Sequence, residues 1–328
     1  MRILKRIELI DLAIYTNKTL ILTDFHIGYE EALNKQGVMV PRFQFPEIVK
    51  RLEAIFSKLK DKKIKRIIIN GDLKHEFGTI SEQEWRNVLK LLDYFGRHCD
   101  EIILIKGNHD TIIGPIAGKR GVKVLEHYVI DSGKELLRNE EHHQFASQIN
   151  KDIKSASRGM PPAGMNADNS KNIKLWRADG APSVSESFTT TRKNIKKNSI
   201  NNTQQSFKTI KAIENHKTNS KNKILVIHGD KIPDKELLKG VSTIIIGHEH
   251  PAVSIRDGAR TELFKAYLIG KWQGRYIIAQ PSFNLVTEGT DMVKEQVLSP
   301  FLKGNLGKFE AIIAADKLYR FGKLKNLG

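Results

Sequence analysis

A short apolar strand pattern runs directly into a polar cluster at positions 102–110, which read IILIKGNHD. Four other segments have the same form, an apolar run that ends in acidic or imidazole residues: LILTDFH at 20–26, IIINGD at 67–72, ILVIHGD at 224–230 and IIIGHEH at 244–250. Runs of this length, rich in β-branched residues, are typical of buried strands in an α/β sheet. Because ligands bind in the crevice at the carboxyl ends of such strands, we expect the five segment ends to meet in one site.

The residues at these strand ends are of the types that bind divalent metal ions. Asp24 and His26 are two positions apart, as are His248 and His250, so each pair points to one side of an extended segment. Carboxylate, amide and imidazole donors together suit Mn²⁺, Fe²⁺ or Zn²⁺. Two such ions about 3.5–4 Å apart clamp a phosphate and generate hydroxide from a bridging water. The candidate site residues are Asp24, His26, Asp72, Asn108, His109, Asp110, His228, His248 and His250.

Each of these segments is a weak signal by itself, since an Asp-x-His or a Gly-Asp is most often part of an ordinary turn. Their occurrence in order, each after an apolar strand pattern, favours a functional site over chance. A phosphate-binding P-loop is excluded. The segment GPIAGK at 114–119 has three residues between its glycines instead of four, and Arg120 follows where Ser or Thr is required.

The remaining periodicity predicts strands and helices that alternate in the first half, followed by a strand-rich second half. Ser81 and Glu84 form a capping-box pattern at the start of one predicted helix. The predicted elements are a hairpin of Ile7–Ile14 with Thr19–Thr23, helices at Phe45–Lys60 and Glu82–Phe95, and strands at Lys65–Asn70, Glu101–Ile105, Lys223–Ile227, Ser242–Ile246 and within Ile255–Ala279. This order predicts an α/β sandwich.

One segment differs in composition from the rest of the chain. Residues 138–222 are rich in Asn, Ser, Lys and Thr and show no sustained apolar period. Such a composition buries too little apolar surface to offset the entropy of ordering, so a low-complexity, disordered basic insertion is expected. Residues 1–137 and 223–328 are then expected to form a single domain.

Charge favours a polyanionic partner. The net charge is +17, and Arg138 to Lys223 carries 16 Lys/Arg against 7 Asp/Glu, a net +9, which leaves +8 for the rest of the chain. Nucleic acid is therefore an expected partner. No apolar run is long enough to cross a membrane, and the single cysteine, Cys99, fits a reducing compartment, so a cytoplasmic protein without a membrane partner is expected.

The ordered motifs carry a family resemblance. Asp24-x-His26, Gly71-Asp72, Gly107-Asn108-His109-Asp110, His228 and Gly247-His248-x-His250 resemble the calcineurin-like metallophosphoesterase superfamily. The segments TDFHIGYE at 23–30 and GDLKHEFG at 71–78 are similar to a small archaeal group related to SbcD-type repair nucleases and to ligase-associated endonucleases. The chain departs from that group in the long insertion between Asn108 and His228.

The resemblance implies a four-layer α/β/β/α sandwich with two metal ions. It assigns one metal to Asp24, His26, Asp72 and His250, and the other to Asp72, Asn108, His228 and His248, with Asp72 bridging. His109 is expected to protonate the leaving oxygen or stabilise charge on the phosphate, and Asp110 to orient the His109 ring. Mn²⁺ is the expected metal, and Fe²⁺, Zn²⁺ and Ni²⁺ are compatible.

The favoured function is hydrolysis of phosphodiester bonds in nucleic acid, above all DNA. A small-molecule phosphodiesterase or phosphomonoesterase is an alternative, because two metals with His109 hydrolyse these esters by similar steps. A nucleic-acid-binding adaptor with weak turnover is another. Kinship to repair nucleases suggests an ATPase or ligase partner, and the sequence leaves the oligomeric state open. Arg42, Lys74 and His75 are interpreted as solvated surface residues.

Overall fold

The computed structural model describes residues 1–4, 6–131 and 223–327 of the 328-residue chain. These residues form two β-sheets and four α-helices. The strands of the first sheet are β1 (Arg2–Leu4), β2 (Ile7–Ile10), β3 (Ala13–Thr16), β4 (Thr19–Leu22), β5 (Arg66–Asn70), β6 (Glu101–Ile105) and β7 (Lys123–Leu125), in that order across the sheet. The helices are α1 (Tyr29–Lys35), α2 (Gln44–Lys58), α3 (Glu82–Gly96) and α4 (Gly114–Lys119).

The first sheet has an antiparallel half and a parallel half. Strands β1 to β4 form an antiparallel meander, whereas β4, β5, β6 and β7 run parallel and are joined by the helices. Helices α2 and α3 pack on one face, where their buried residues Leu52 and Leu91 share one apolar core with the strand residues Leu20 and Ile67. The carboxyl ends of β4, β5 and β6 therefore lie together at one edge of this sheet.

The second sheet contains the remaining strands. They are β8 (His127–Ile130), β9 (Lys223–Ile227), β10 (Val241–Ile246), β11 (Pro251–Asp257), β12 (Arg260–Trp272), β13 (Arg275–Ala279), β14 (Thr290–Asp291), β15 (Glu310–Ala314) and β16 (Leu318–Lys323). The strand order is β14-β11-β12-β13-β10-β9-β8, with β15 between β12 and β16. Strands β9, β10 and β13 are parallel, so the carboxyl ends of β9 and β10 also lie together.

A second apolar core fills the space between the two sheets. Ile21 and Ile68 of the first sheet pack there with Val226, Ile245 and Ile278 of the second, all with 0% exposure. The predicted α/β sandwich with two sheets is confirmed. On the far side of the second sheet, Gly270 of β12 lies against the Phe309 ring. Phe309 directly follows a 3-10 turn, Leu306–Lys308, so a loop covers the sheet at this point.

Strands β8 and β9 are antiparallel neighbours, with Ile130 opposite Ile224. They flank the segment that the sequence predicts to be an inserted, disordered stretch. Residues 138–222, including the predicted disorder, lie outside the described residues. The division into one domain and one insertion stays a prediction.

Most of the predicted elements are confirmed, and one is wrong. The predicted strand Ile7–Ile14 is two strands, β2 and β3, because Asp11 adopts a left-handed conformation with φ 56° and turns the chain. The capping box is confirmed, since the Ser81 hydroxyl accepts from the Glu84 N–H and the Glu84 carboxylate accepts from the Ser81 N–H. Within the described residues, no helix is long and apolar enough to cross a membrane.

Candidate metal centre

Five loops at the carboxyl ends of β4, β5, β6, β9 and β10 converge at one edge of the sandwich. The loops after β4 and β5 continue to pair beyond the sheet, since the His26 N–H donates to the Asp72 carbonyl at 2.9 Å. The two sheets are joined directly at this point. The His248 N–H, from the loop after β10, donates to Oδ2 of Asp24 at 2.9 Å.

The first group of donor atoms comprises Asp24, His26, Asp72 and His250, whose candidate ligand atoms all lie within 4.8 Å of one another. Nε2 of His26 is 3.2 Å from Nε2 of His250 and 3.7 Å from Oδ2 of Asp72. Nε2 of His250 is 3.5 Å from Oδ2 of Asp24. Except for His250, which is partly exposed, these residues are buried.

The second group comprises Asp72, His228 and His248, and Asn108 joins it. Oδ1 of Asn108 is 3.0 Å from Nε2 of His228 and 3.1 Å from Nδ1 of His248. Nε2 of His228 is 3.5 Å from Oδ2 of Asp72. Asp72 therefore belongs to both groups, and one carboxylate oxygen, Oδ2, faces imidazoles of each.

The distances between donor atoms are close to those of metal coordination, and the longest exceed them by about 0.3 Å. Ligands about 2.1 Å from an ion in tetrahedral or octahedral geometry are about 3.0–3.4 Å from each other, and the separations here run from 3.0 Å (Asn108 to His228) to 3.7 Å (His26 to Asp72). Oδ1 of Asp24 is buried without a hydrogen-bond partner, although it lies 3.5 Å from Nδ1 of His228. A buried oxygen of this kind is costly unless a cation satisfies it.

The pKa values of the site residues also favour metal binding. Burial, together with repulsion from Asp24 and Asp110, raises the pKa of Asp72 to about 9. Burial alone would raise the pKa of Asp24 as well, but the neighbouring His250 and His228 rings hold it below its usual value. Burial lowers the pKa of His228 to about 4, which leaves its ring neutral, as a metal ligand must be. These residues fit a pair of divalent cations.

The backbone at this site is strained. Asp24, His26, Asp72, His248 and His250 all have positive φ, between 40° and 62°. Each such conformation costs of order 1–3 kcal/mol and persists only where the surrounding structure imposes it, most often at functional sites. Glycine is required at position 247, because the Cβ of any other residue would lie 2.0 Å from Oγ1 of Thr23 and 2.5 Å from Oδ2 of Asp24. The loops of the two sheets are therefore pressed together around the ligands.

Residues 18–252, which include all five loops, match the protein family described as "Calcineurin-like phosphoesterase". The chain belongs to this family. Membership implies a hydrolase that acts on phosphoester bonds, and the two donor groups indicate its divalent-metal site. Among solved structures, the nuclease MPE of Pseudomonas putida is similar at 14% identity and a TM-score of 0.47, covering 95% of this chain and 92% of that one. No curated protein matches the sequence.

The structure places His109 of this phosphoesterase at the edge of the first donor group. Its ring centroid is 4.7 Å from that of His26. Nδ1 of His109 bonds to the backbone carbonyl of His75, so Nδ1 carries the proton and Nε2 is left for exchange with a substrate. Burial lowers the pKa of His109, and the carbonyl of His75 opposes this effect.

The hydrogen bonds of the Asp110 carboxylate come from backbone N–H groups, and its expected role in orienting the His109 ring stays a prediction. The Asp110 carboxylate is buried and accepts the N–H groups of Leu73 at 3.1 Å and Gly107 at 3.2 Å. It thus ties the loop after β5 to the loop after β6. Burial raises the pKa of Asp110 to about 6 against the effect of these N–H donors.

Sequence reasoning missed two residues here, because it assigned them to the solvated surface. Lys74 is fully buried, and its ammonium donates to the Glu76 carbonyl. His75 joins His26 and His109 in a third cluster, with its Nδ1 3.3 Å from Nδ1 of His26. Burial and the nearby His109 lower the pKa of His75 to about 4. The available signal was its position three residues after Asp72, in a loop that has to turn back over the site. Arg42 is exposed, as interpreted.

Proposed function

We propose that this phosphoesterase is a two-metal phosphodiesterase that hydrolyses nucleic acid, with DNA as its substrate. The observation that carries the proposal is the sharing of Asp72 by two separate donor groups, each with a carboxylate and imidazole nitrogens. A carboxylate between two cations holds them at the spacing that suits both the attacking and the leaving oxygen of a phosphoryl transfer.

The residues of the chain divide the work. Two divalent cations would be held by Asp24, Asp72, Asn108 and the imidazoles of His26, His228, His248 and His250, and would supply positive charge for the phosphate and a nucleophile at neutral pH. His109 contacts the phosphate and, when both of its ring nitrogens are protonated, delivers the Nε2 proton to the departing oxygen, while its Nδ1–H stays hydrogen-bonded to the His75 carbonyl. Asp110 fixes the two loops that carry Asp72 and Asn108.

Charge is the argument for a polyanionic substrate. The chain outside Arg138 to Lys223 contributes +8 of the net +17. Each phosphate that a Lys or Arg side chain neutralises releases counterions and strengthens binding. The basic segment 138–222 is proposed as an arm that holds nucleic acid.

Finer assignments follow from the motifs around the ligands. We propose that the chain is related to the SbcD-related and ligase-associated phosphoesterases, because of the segments 23–30 and 71–78. Mn²⁺ is the proposed metal, since the mixed oxygen and nitrogen donors suit an ion of intermediate hardness. A repair ATPase or ligase is the proposed partner, and a reducing cytoplasm the proposed compartment.

The test compares a diester with a monoester. In the presence of Mn²⁺, the protein is expected to hydrolyse bis-p-nitrophenyl phosphate faster than p-nitrophenyl phosphate, and His109→Ala is expected to slow the diester reaction by about 10²–10⁴-fold. Cleavage of a labelled DNA strand is measured next. Activity on the monoester alone would contradict the nuclease assignment and favour a phosphatase.

A further inference from the structure

Phe77 is an exposed aromatic residue at the mouth of the metal centre. Its side chain is 58% exposed, and among the described residues it is the one aromatic side chain with more than half of its surface in water. Its ring lies on the ring of His109, with centroids 3.7 Å apart and planes inclined by 34°. The His109 ring in turn lies 4.7 Å, between centroids, from the ring of His26, a candidate metal ligand.

The loop that carries Phe77 is fixed by hydrogen bonds to buried charged side chains. The buried Glu84 carboxylate accepts the N–H groups of His75 at 3.0 Å and Glu76 at 2.8 Å, on the two residues before Phe77. The buried Lys74 ammonium bonds to the Glu76 carbonyl. Lys35 at the end of α1 pairs with the Glu76 side chain at 3.3 Å. Phe77 is therefore presented in a fixed position, although its own ring gains little from burial.

The Phe77 ring therefore has His109 against one face and is exposed to water beside the proposed phosphate site. Stacking of a nucleic-acid base on such a ring is favourable for every base, because each has a π-face. We propose that Phe77 is a stacking platform for the base next to the scissile phosphate, and that the substrate is DNA whose base at this position is unpaired. This inference rests on the proposed function and deepens it by naming the substrate class.

The requirement for an unpaired base follows from the structure of duplex DNA. Inside a duplex, both faces of each base are covered by its neighbours, and exposing one face costs a few kcal/mol of unstacking. A single strand or a frayed end has bases free to stack on a protein ring. The platform thus selects single-stranded DNA and frayed ends over intact duplex.

The test uses the full chain with Mn²⁺ and short labelled oligonucleotides. One oligonucleotide is intact, a second has an abasic site at the position beside the cleaved bond, and a third is a blunt duplex. Wild-type protein is expected to prefer the intact strand over the abasic one by about tenfold in kcat/KM, within the range for base–aromatic stacking. Equilibrium binding of the same strands in EDTA, measured by fluorescence anisotropy, is expected to show the same preference.

Phe77→Ala and Phe77→Leu are expected to lose this preference, and Phe77→Trp to keep it, since only Trp retains a π-face. Met39→Ala is the matched control, because Met39 is 89% exposed and apolar without an aromatic ring, and it should keep the preference. Discrimination that survives Phe77→Ala, or that is lost equally in Met39→Ala, would overturn the inference while leaving DNA cleavage intact. Hydrolysis of bis-p-nitrophenyl phosphate without cleavage of any DNA would instead overturn the proposed function.

Discussion

At the scale of single residues, the site depends on which nitrogen of each imidazole faces the cations. Nε2 of His26 faces His250 and Asp72, so its Nδ1 is left to contact Nδ1 of His75 at 3.3 Å. One of these two nitrogens carries a proton and the other accepts it. We propose that His75 accepts at Nδ1, which keeps the proton of His26 on its Nδ1 and leaves its Nε2 for a metal ion.

We predict that His75→Ala lowers the affinity for Mn²⁺ by about 10- to 100-fold, the usual effect of removing a partner that orients a metal-binding His. Isothermal titration calorimetry measures the affinity directly. His98→Ala is the control, because His98 stacks on Phe56 and belongs to none of the three clusters. An unchanged affinity in His75→Ala would show that His26 holds its tautomer without His75.

The candidate ligand residues could be predicted from the sequence because they follow five apolar strands, and the strand pattern is local. The role of His75 could not be predicted in this way. Its burial depends on how the loop 73–77 folds over His26. It also depends on Glu84, which lies in a helix further along the chain and accepts the N–H groups of His75 and Glu76. Lys74 was misinterpreted for the same reason.

At the scale of elements, α3 supports the loop over the site through its first turn. Glu84 caps its own helix at Ser81 and accepts two more N–H groups from His75 and Glu76. A single buried carboxylate therefore serves both the helix start and the loop, with Gly28 leaving room for its side chain.

We predict that Glu84→Ala destabilises the protein by about 2–4 kcal/mol, because the helix cap is lost and buried N–H groups lose their acceptor. Urea unfolding monitored by circular dichroism measures this change. Glu82→Ala is the control in the same helical turn, since its side chain is 81% exposed, and it should change stability by less than about 0.5 kcal/mol. An equal loss of stability in the two variants would contradict the role of Glu84 as both helix cap and loop acceptor.

Helices α2 and α3 were predicted well because a long amphipathic stripe and a capping box are local signals. Sequence reasoning missed α1, which has only 7 residues and follows Gly28 in a left-handed conformation. Such a short helix is stabilised by its tertiary contacts, for example the N–H groups of Phe43 and Gln44 that bond to Glu30.

At the scale of the whole molecule, the metal centre and the basic segment connect to opposite ends of β9. His228 follows the carboxyl end of β9, whereas residues 132–222 join Asp131 to Lys223 at its amino end. Five residues of strand at about 3.3 Å each put roughly 15 Å between these points. Ile130 and Ile224 are paired, so a short turn is enough to close the hairpin of β8 and β9.

We predict that replacement of residues 132–222 by Asn-Gly, a two-residue hairpin turn, preserves the fold and leaves bis-p-nitrophenyl phosphate turnover within about threefold. DNA binding is expected to weaken and to depend less steeply on salt, because fewer phosphates are neutralised. Binding at several salt concentrations measures the slope. An unchanged salt dependence of DNA binding would contradict the proposal that the basic segment holds nucleic acid. A loss of bis-p-nitrophenyl phosphate turnover would show that the metal centre depends on residues 132–222.

The strand pattern predicted that the five segment ends meet in one site, but the contribution of two separate sheets to it could be predicted only through the family resemblance. Local patterns indicate that each strand ends in a ligand, but β4, β5 and β6 belong to one sheet and β9 and β10 to the other. Their convergence depends on the packing of the core between the sheets and on contacts such as that of His248 N–H with Asp24.

Asp72 is proposed to join two metal ions, and the number of Mn²⁺ ions bound to the protein tests this proposal. Native mass spectrometry is expected to count two ions on the wild-type protein, two on the control Asp93→Asn, whose carboxylate pairs with Arg120 at the surface, and at most one on Asp72→Asn. Diester hydrolysis should be lost with the second ion. Two ions and full activity in Asp72→Asn would contradict the account.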